Sequence, residues 1–190
     1  EENLCTSIDL PALLAQWAKS PTEDERFSFA PSMFEYHSRG FLKIQDGCDN
    51  VCSFCRVRLA RGPSQSLGRQ QVLERLLALE AAGYNEAVLT GINLHSWREG
   101  PSRLPELLAF LLENTDHIAL RISSSEIVGF NEAYAKVLSS PRIRPHFHLS
   151  VQSGSDNVLK RMRRRYTRSA VYQAVELLHS VKERPFIACD

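Results

Sequence analysis

Three thiols carry the first chemical signal in this sequence. Cys48, Cys52 and Cys55 are spaced Cys-x3-Cys-x2-Cys in a single short run. Thiolates this close can each take one iron of a cubane iron–sulfur cluster, which leaves the fourth iron without a protein ligand. Ferredoxin spacings supply four cysteines and close every corner. An open corner instead binds and activates a small molecule. Two other readings stay open at this point. Structural zinc wants four ligands, usually in two close pairs, and the fourth here would have to be His37, Cys5 or Cys189. Chance clustering of buried cysteines is the remaining one.

Charge is the second signal. No acidic residue falls between Asn50 and Leu73, where Arg56, Arg58, Arg61 and Arg69 lie. None falls between Asn157 and Val175 either, where Lys160, Arg161, Arg163, Arg164, Arg165 and Arg168 lie. Surfaces that neutralise nucleic-acid phosphates are built this way, although arginine runs on solvated helices look the same in sequence.

The elements that must position these groups follow from hydrophobic patterning. Residues 1–39 are acidic and read as a lead-in, with a helix starting at Asp9 and Pro11, continuing through Trp17, and stopped at Ser20-Pro21. From residue 40 to 190 the pattern alternates strand and helix. Strands are expected at 41–45, 86–90, 117–123, 147–152 and 185–189. Helices are expected around Val72–Leu79, Leu104–Leu112, Asn131–Leu138 (with Asn131 as cap) and Ser169–Lys182. Five strands separated by helices argue for parallel βα units, an α/β fold. Asp46-Gly47-Cys48, Thr90-Gly91, Ser123-Ser124-Ser125 and Gln152-Ser153-Gly154 all fall just after strands, where α/β proteins collect function.

Composition closes off other classes. The chain has 190 residues, 43% of them hydrophobic, and a net charge of +1, which excludes disorder, collagen and a coiled coil for the whole. No apolar run approaches the roughly 20 residues that span a bilayer, so no membrane partner is expected. Five cysteines, an odd number, without an export signal point to a reduced, cytoplasmic protein. The start at Glu1-Glu2-Asn3, without Met, points to a piece of a longer polypeptide.

The cysteine motif after the first strand resembles that of the radical S-adenosylmethionine superfamily. More narrowly, FLKIQDGCDNVCSFC at 41–55, ARG at 60–62, VLTGIN at 88–93, RISSSE at 121–126 and VQSGSDNVLKRMRRRYT at 151–167 resemble the methylthiotransferases. LTGIN, ISSSE and KRMRRRYT are most similar to the branch that acts on N6-threonylcarbamoyladenosine in tRNA.

The resemblance implies a partial (β/α) barrel, here cut before its last strand, in which Cys48, Cys52 and Cys55 hold a [4Fe-4S] cluster. S-adenosylmethionine on the open iron is then cleaved by a one-electron reductant to a 5′-deoxyadenosyl radical. That radical removes the C2 hydrogen of a modified adenosine beside the anticodon, and a methylthio group replaces it. The cofactor-contacting positions it implies are Phe54, Thr90, Gly91, Ser124, Glu126, Gln152 and Arg164. Those facing the tRNA anticodon stem-loop are Arg56, Arg58, Arg61, Lys160, Arg161, Arg163 and Arg165.

One departure from the family stands out. The run Arg56-Val57-Arg58-Leu59 replaces the apolar, proline-bearing segment usual after the third cysteine. The resemblance also implies an amino-terminal domain with a second [4Fe-4S] cluster and a carboxyl-terminal RNA-binding barrel. With only Cys5 ahead of the motif, a fragment incapable of the full reaction alone is expected. The alternatives are a radical enzyme acting on isopentenyl-adenosine tRNA, a ribosomal protein or another substrate, and a zinc-stabilised nucleic-acid-binding module. His95, Trp97 and His148 are given no role.

Overall fold

The computed structural model describes residues 26–28 and 38–190. The expected helix from Asp9, Cys5 and His37 lie outside the described residues.

Alternation in Gly40–Lys43 makes β1 a strand with one buried and one half-buried face. A break at Ile44 follows, and β2 (Gln45–Asp46) then turns into a short antiparallel pair with β3 (Gln65–Ser66). Between them lies the cysteine loop and a one-turn helix, α1 (Val57–Arg61). Helix α2 (Arg69–Ala81) buries Val72, Leu73, Leu76 and Leu79, the stripe seen in the sequence. β4 (Glu86–Thr90) pairs parallel to both β1 and β7 (Ala119–Ile122). A small hairpin, β5 (Arg98–Glu99) and β6 (Ser102–Arg103), leads into α3 (Leu104–Glu113), which buries Leu104, Leu107, Leu108 and Leu111.

The third expected strand divides at Ser123. β7 pairs with β4, whereas β8 (Ser124–Ser125) pairs with β9 (His146–Leu149). Ser123 N still donates to Leu89 O at 3.1 Å, and Arg144 N donates to Leu120 O at 2.9 Å, so residues 119–125 act as one kinked strand that hands the sheet across. α4 (Glu132–Leu138) lies between them, and Asn131 caps it by accepting from Tyr134 N at 2.9 Å. Then come α5 (Asp156–Arg161), α6 (Arg168–Val181) and β10 (Phe186–Cys189), which pairs parallel to β9.

With β7 and β8 as one kinked strand, the result is five parallel strands in chain order, the open α/β barrel expected. The buried face carries Leu42, Ala87, Leu89, Leu120, Ile122, Phe147 and Leu149, which join the helices' leucines in one core. The other face carries Phe41, Lys43, Arg121, His146 and His148, all half-buried. Trp97 is fully buried and donates its indole N–H to Leu67 O at 2.9 Å, so packing accounts for it.

At the amino ends of the strands, Glu86 accepts from three guanidiniums. Arg144 lies at 2.8 Å and Arg39 at 3.0 Å, with Arg121 also in contact. Burial pushes the Glu86 carboxyl up, but these arginines outweigh it and hold it below the usual carboxylate range.

Candidate functional site

The cysteine loop is built from its buried ends inward. Gln45 is fully buried, and its Nε2 lies within 2.8–2.9 Å of Asp46 O, Gly47 O and Ser64 Oγ. Its Oε1 accepts from Asn93 N at 2.7 Å, which ties the loop after β2 to the loop after β4. Asp46 is also buried and binds Lys43 at 2.8 Å and Gly47 N at 2.8 Å. Burial raises its carboxyl, and these partners with Arg61 bring it below the ordinary value. Gly47 has φ +69, and a Cβ there would sit 2.1 Å from Pro63 O; only glycine fits. Cys48 N then donates to Gly62 O at 3.1 Å, which launches the thiol run.

Cys48, Cys52 and Cys55 line one cavity of about 150 Å³ at the carboxyl ends of the strands. Asn50 and Phe54 come from the same loop, Arg58 comes from α1, Ile92 and Asn93 follow β4, and Glu126 follows β8. Ser150, Gln152 and Arg164 complete the wall. Thus four of the expected cofactor positions, Phe54, Glu126, Gln152 and Arg164, are brought together around the thiols.

Thr90, Gly91 and Ser124 are outside that lining. Thr90 closes β4 by accepting from Ile44 N at 3.0 Å. Gly91 faces the Gln45 hub, where a Cβ would meet Gln45 Oε1 at 2.9 Å, so its need is steric. Ser124 Oγ pairs with His148 Nδ1 at 2.8 Å on the half-exposed face of the sheet.

Asn50, Asn93 and Ser150 were missed by the reading of the sequence. Asn93 is the last residue of the VLTGIN run and Asn50 sits between cysteines, so their places in the motifs were the available signal. Asn93 Oδ1 is buried without a hydrogen-bond partner among the described residues. Gln152 is held at φ +65, with its N–H bonded to Asp190 O at 2.7 Å. A non-glycine residue held in that region marks stored strain of the kind found at ligand sites.

Charge inside the cavity is organised by Arg164. Its guanidinium reaches Glu126 at 3.0 Å, Ser150 O at 2.8 Å, Tyr166 Oη at 2.9 Å and Cys52 Sγ at 3.3 Å. Asn50 Nδ2 donates to the other oxygen of Glu126 at 2.9 Å. Burial pushes the Cys48 thiol up, with Glu126 and Cys52 adding to it and hydrogen bonds from Asn50 and Asn93 opposing it.

The two basic windows meet here. Ser53 N donates to Met162 O at 3.1 Å and Ser53 Oγ to Arg161 O at 3.0 Å, which joins the cysteine loop to the end of α5. Arg56, Arg58 and Arg61 on one side and Lys160, Arg161, Arg163 and Arg165 on the other are all exposed. Arg61 also reaches the buried Asp46 carboxylate at 3.6 Å.

Among the described residues no three His, Cys, Asp or Glu side chains converge on a single ion. A cubane asks something different, three thiolates each on a separate iron, and the three cysteines share one cavity wall. No helix among the described residues is long and apolar enough to cross a membrane.

An open parallel α/β barrel with three thiols at its carboxyl mouth defines a class built to hold a cofactor above a half-open sheet. The Radical SAM superfamily model matches residues 42–186, and the chain belongs to that superfamily, whose members bind a [4Fe-4S] cluster and S-adenosylmethionine. It is 48% identical over 170 residues to a threonylcarbamoyladenosine tRNA methylthiotransferase of Treponema pallidum, covering 90% of this chain and 35% of that protein. It is 39% identical over 151 residues to the protein of the same name from Thermotoga maritima, covering 78% of this chain and 35% of the relative. A tRNA-2-methylthio-N(6)-dimethylallyladenosine synthase of Chlorobaculum tepidum is 36% identical over 155 residues, covering 79% and 34%.

The chain therefore spans about a third of the length of the curated relatives it matches. Among solved structures, a radical S-adenosylmethionine methyltransferase of Kitasatospora setae, with tryptophan and a cofactor analogue bound, aligns with a TM-score of 0.64. Identity is 17%, over 75% of this chain and 28% of that one. A cobalamin-dependent S-adenosylmethionine radical enzyme aligns at 0.63, with 15% identity over 78% and 23%. These two speak to the fold alone.

Proposed function

We propose that this chain is the radical domain of a tRNA methylthiotransferase, one that places a methylthio group on C2 of N6-threonylcarbamoyladenosine beside the anticodon. The observation that carries this reading is the meeting of both basic windows at the mouth of the three-thiol cavity, through the Ser53 bonds to Arg161 and Met162. A radical enzyme for a small metabolite has no need of such a collar.

Cys48, Cys52 and Cys55 would hold a [4Fe-4S] cluster on the cavity wall. With S-adenosylmethionine bound, the cluster supplies one-electron radical chemistry. The chain's own residues bind, orient and shield. Phe54 offers an aromatic face, half exposed at the rim. The unpartnered Asn93 Oδ1 accepts from an ammonium group, and Glu126 and Gln152 offer acceptors for hydroxyls or amines. Arg56, Arg58, Arg161, Arg163 and Arg165 neutralise phosphates of the anticodon stem-loop and position the base over the cavity. The branch follows the relatives' names at 48% and 39% identity, over the 36% of the dimethylallyladenosine relative.

The test uses the full-length protein, reconstituted anaerobically with iron and sulfide and given a reductant and S-adenosylmethionine. It is then offered tRNA bearing either threonylcarbamoyl- or isopentenyl-adenosine. Methylthiolation of the first substrate only is expected. Product on the second alone would move the chain to the other branch, and zinc without iron would remove the radical reading.

A further inference from the structure

Two guanidiniums stand on the cavity wall, and their surroundings differ. Arg164, one of the expected cofactor positions, has a side chain only 6% exposed and lies 3.0 Å from Glu126. Arg58 is exposed, and of the cations expected to face tRNA it alone lines the cavity. Among the described residues its side chain makes one hydrogen bond, to Asp49 O at 3.4 Å, longer than a normal N–H···O bond. The Asp49 carboxylate accepts from Ser64 N at 3.1 Å instead. Glu126, the carboxylate in the lining, is held by Arg164 and by Asn50. Arg58 therefore brings to the cavity a positive charge that no carboxylate among the described residues pairs. The departure from the family, Arg56-Val57-Arg58-Leu59, is what puts it there.

We propose that Arg58 is a specificity residue whose guanidinium takes the carboxylate of the threonyl group on the substrate adenosine. The proposal rests on the reading that the chain acts on N6-threonylcarbamoyladenosine, and it deepens that reading. Charge counting supports it. S-adenosylmethionine brings one carboxylate and the threonylcarbamoyl group a second, against two guanidiniums on the wall. A guanidinium fork meets a carboxylate with two parallel N–H···O bonds, each stronger than a bond between neutral groups. An isopentenyl group has no charge to offer. Seating it beside Arg58 would strip water from a guanidinium and return no bond, so the same residue works against the wrong base. Phosphates follow the outside of a stem-loop, whereas the N6 substituent travels with the base. Arg58 lies where the base must go, while Arg56, Arg161, Arg163 and Arg165 stay outside the lining.

The experiment measures binding of labelled anticodon stem-loops by fluorescence anisotropy. It uses the full-length protein with its reconstituted cluster and S-adenosylmethionine, without reductant. Three loops carry at the same adenosine the threonylcarbamoyl group, its carboxyl methyl ester, or an isopentenyl group. The wild type is expected to bind the acid about tenfold or more tightly than the ester, as loss of a charge-assisted pair warrants. Arg58→Leu should bind the acid no better than the ester, with ester affinity within about threefold of the wild type. Arg58→Lys should keep part of the preference, because the charge remains without the fork. In turnover, Arg58→Leu should raise KM for the acid-bearing tRNA and leave kcat within about threefold. An equal loss of affinity for all three loops, with a weaker salt dependence, assigns Arg58 to a phosphate and overturns the proposal. An undiminished preference for the acid in Arg58→Leu overturns it in favour of another carboxylate site, and a wild type blind to the ester overturns it outright. In each of those cases methylthiolation of the threonylcarbamoyl loop by the wild type leaves the substrate reading standing. A wild type that binds and methylthiolates the isopentenyl loop alone overturns that reading and the proposal together. Should Arg58→Leu fail to fold, Arg58→Lys decides by the same acid-to-ester ratio.

Discussion

The two ends of the parallel sheet are built on opposite plans. At the amino ends, Glu86 lies among Arg39, Arg121 and Arg144, a carboxylate fully engaged by its neighbours. At the carboxyl ends, three thiols, the unpartnered Asn93 Oδ1, a strained Gln152 and the exposed Phe54 and Ile92 surround a cavity. The loop that carries the thiols is nonetheless anchored by buried polar residues, Gln45 and Asp46, directly below it. Firm placement below and unsatisfied groups above is what a cofactor site requires, because a ligand gains most from groups that the fold holds but does not satisfy.

That contrast can be broken by separating function from stability. Replacing Cys48, Cys52 and Cys55 together by Ala is expected to abolish iron binding by this domain and methylthiolation by the full-length protein. The midpoint of urea unfolding of the apoprotein should shift little, since the thiols are partly exposed and outside the core. The measurement pairs iron analysis with urea melts, and a collapse in stability would mean that the two ends are not distinct.

At the other end the effect should invert. Glu86→Gln leaves three guanidiniums around a neutral amide and is expected to cost about 3 kcal/mol, measured by urea unfolding. Iron bound per folded chain should be unchanged. The pH dependence carries the same sign logic. The folded Glu86 carboxyl lies below the ordinary glutamate value of 4.5, so its contribution is present above pH 4.5 and lost as pH falls through the folded value.

His95 sharpens the comparison from the loop behind the site. Its Nε2 is buried without a hydrogen-bond partner among the described residues, its ring lies against Phe130 and Tyr134, and burial lowers its pKa from 6.5 to about 4. The unfolded chain then binds the extra proton first. Stability should be full above pH 6.5 and decline as pH falls from 6.5 towards 4, and His95→Phe should flatten that part of the profile.

The smallest effect belongs to Ser124→Ala. It removes an exposed hydrogen bond to His148 and should cost about 0.5 kcal/mol, with the cluster and S-adenosylmethionine binding unaffected. A tenfold loss of cofactor affinity in that variant would return Ser124 to the cavity.

Much of the architecture was legible because it is periodic. The leucine stripes of α2 and α3, the Asn131 cap and the parallel strands all follow from local pattern, and each lies within about three residues of its expected place. The break at Ser123 was not legible, since RIS reads as continuous strand. Only the changing partner, β4 on one side and β9 on the other, divides it. α1 and α5 were passed over because each is a turn or two long, too short for a period to declare itself. Gly91 was legible as a glycine but not as one demanded by the Gln45 side chain.

By itself, then, the sequence determined the chemistry on offer and the scaffold's order: three thiols after the first strand, acid-free arginine runs, and strands alternating with helices. Those depend on residue types and short spacings, which the chain carries whatever its tertiary form. Tertiary structure decided which groups share a cavity. It joined arginine runs a hundred residues apart through Ser53, brought Asn93 beside Cys48, left Thr90 and Ser124 outside, and enclosed Arg164 against Cys52. Such pairings arise from the curvature of a sheet and the burial it creates, and no local pattern encodes a distance across it.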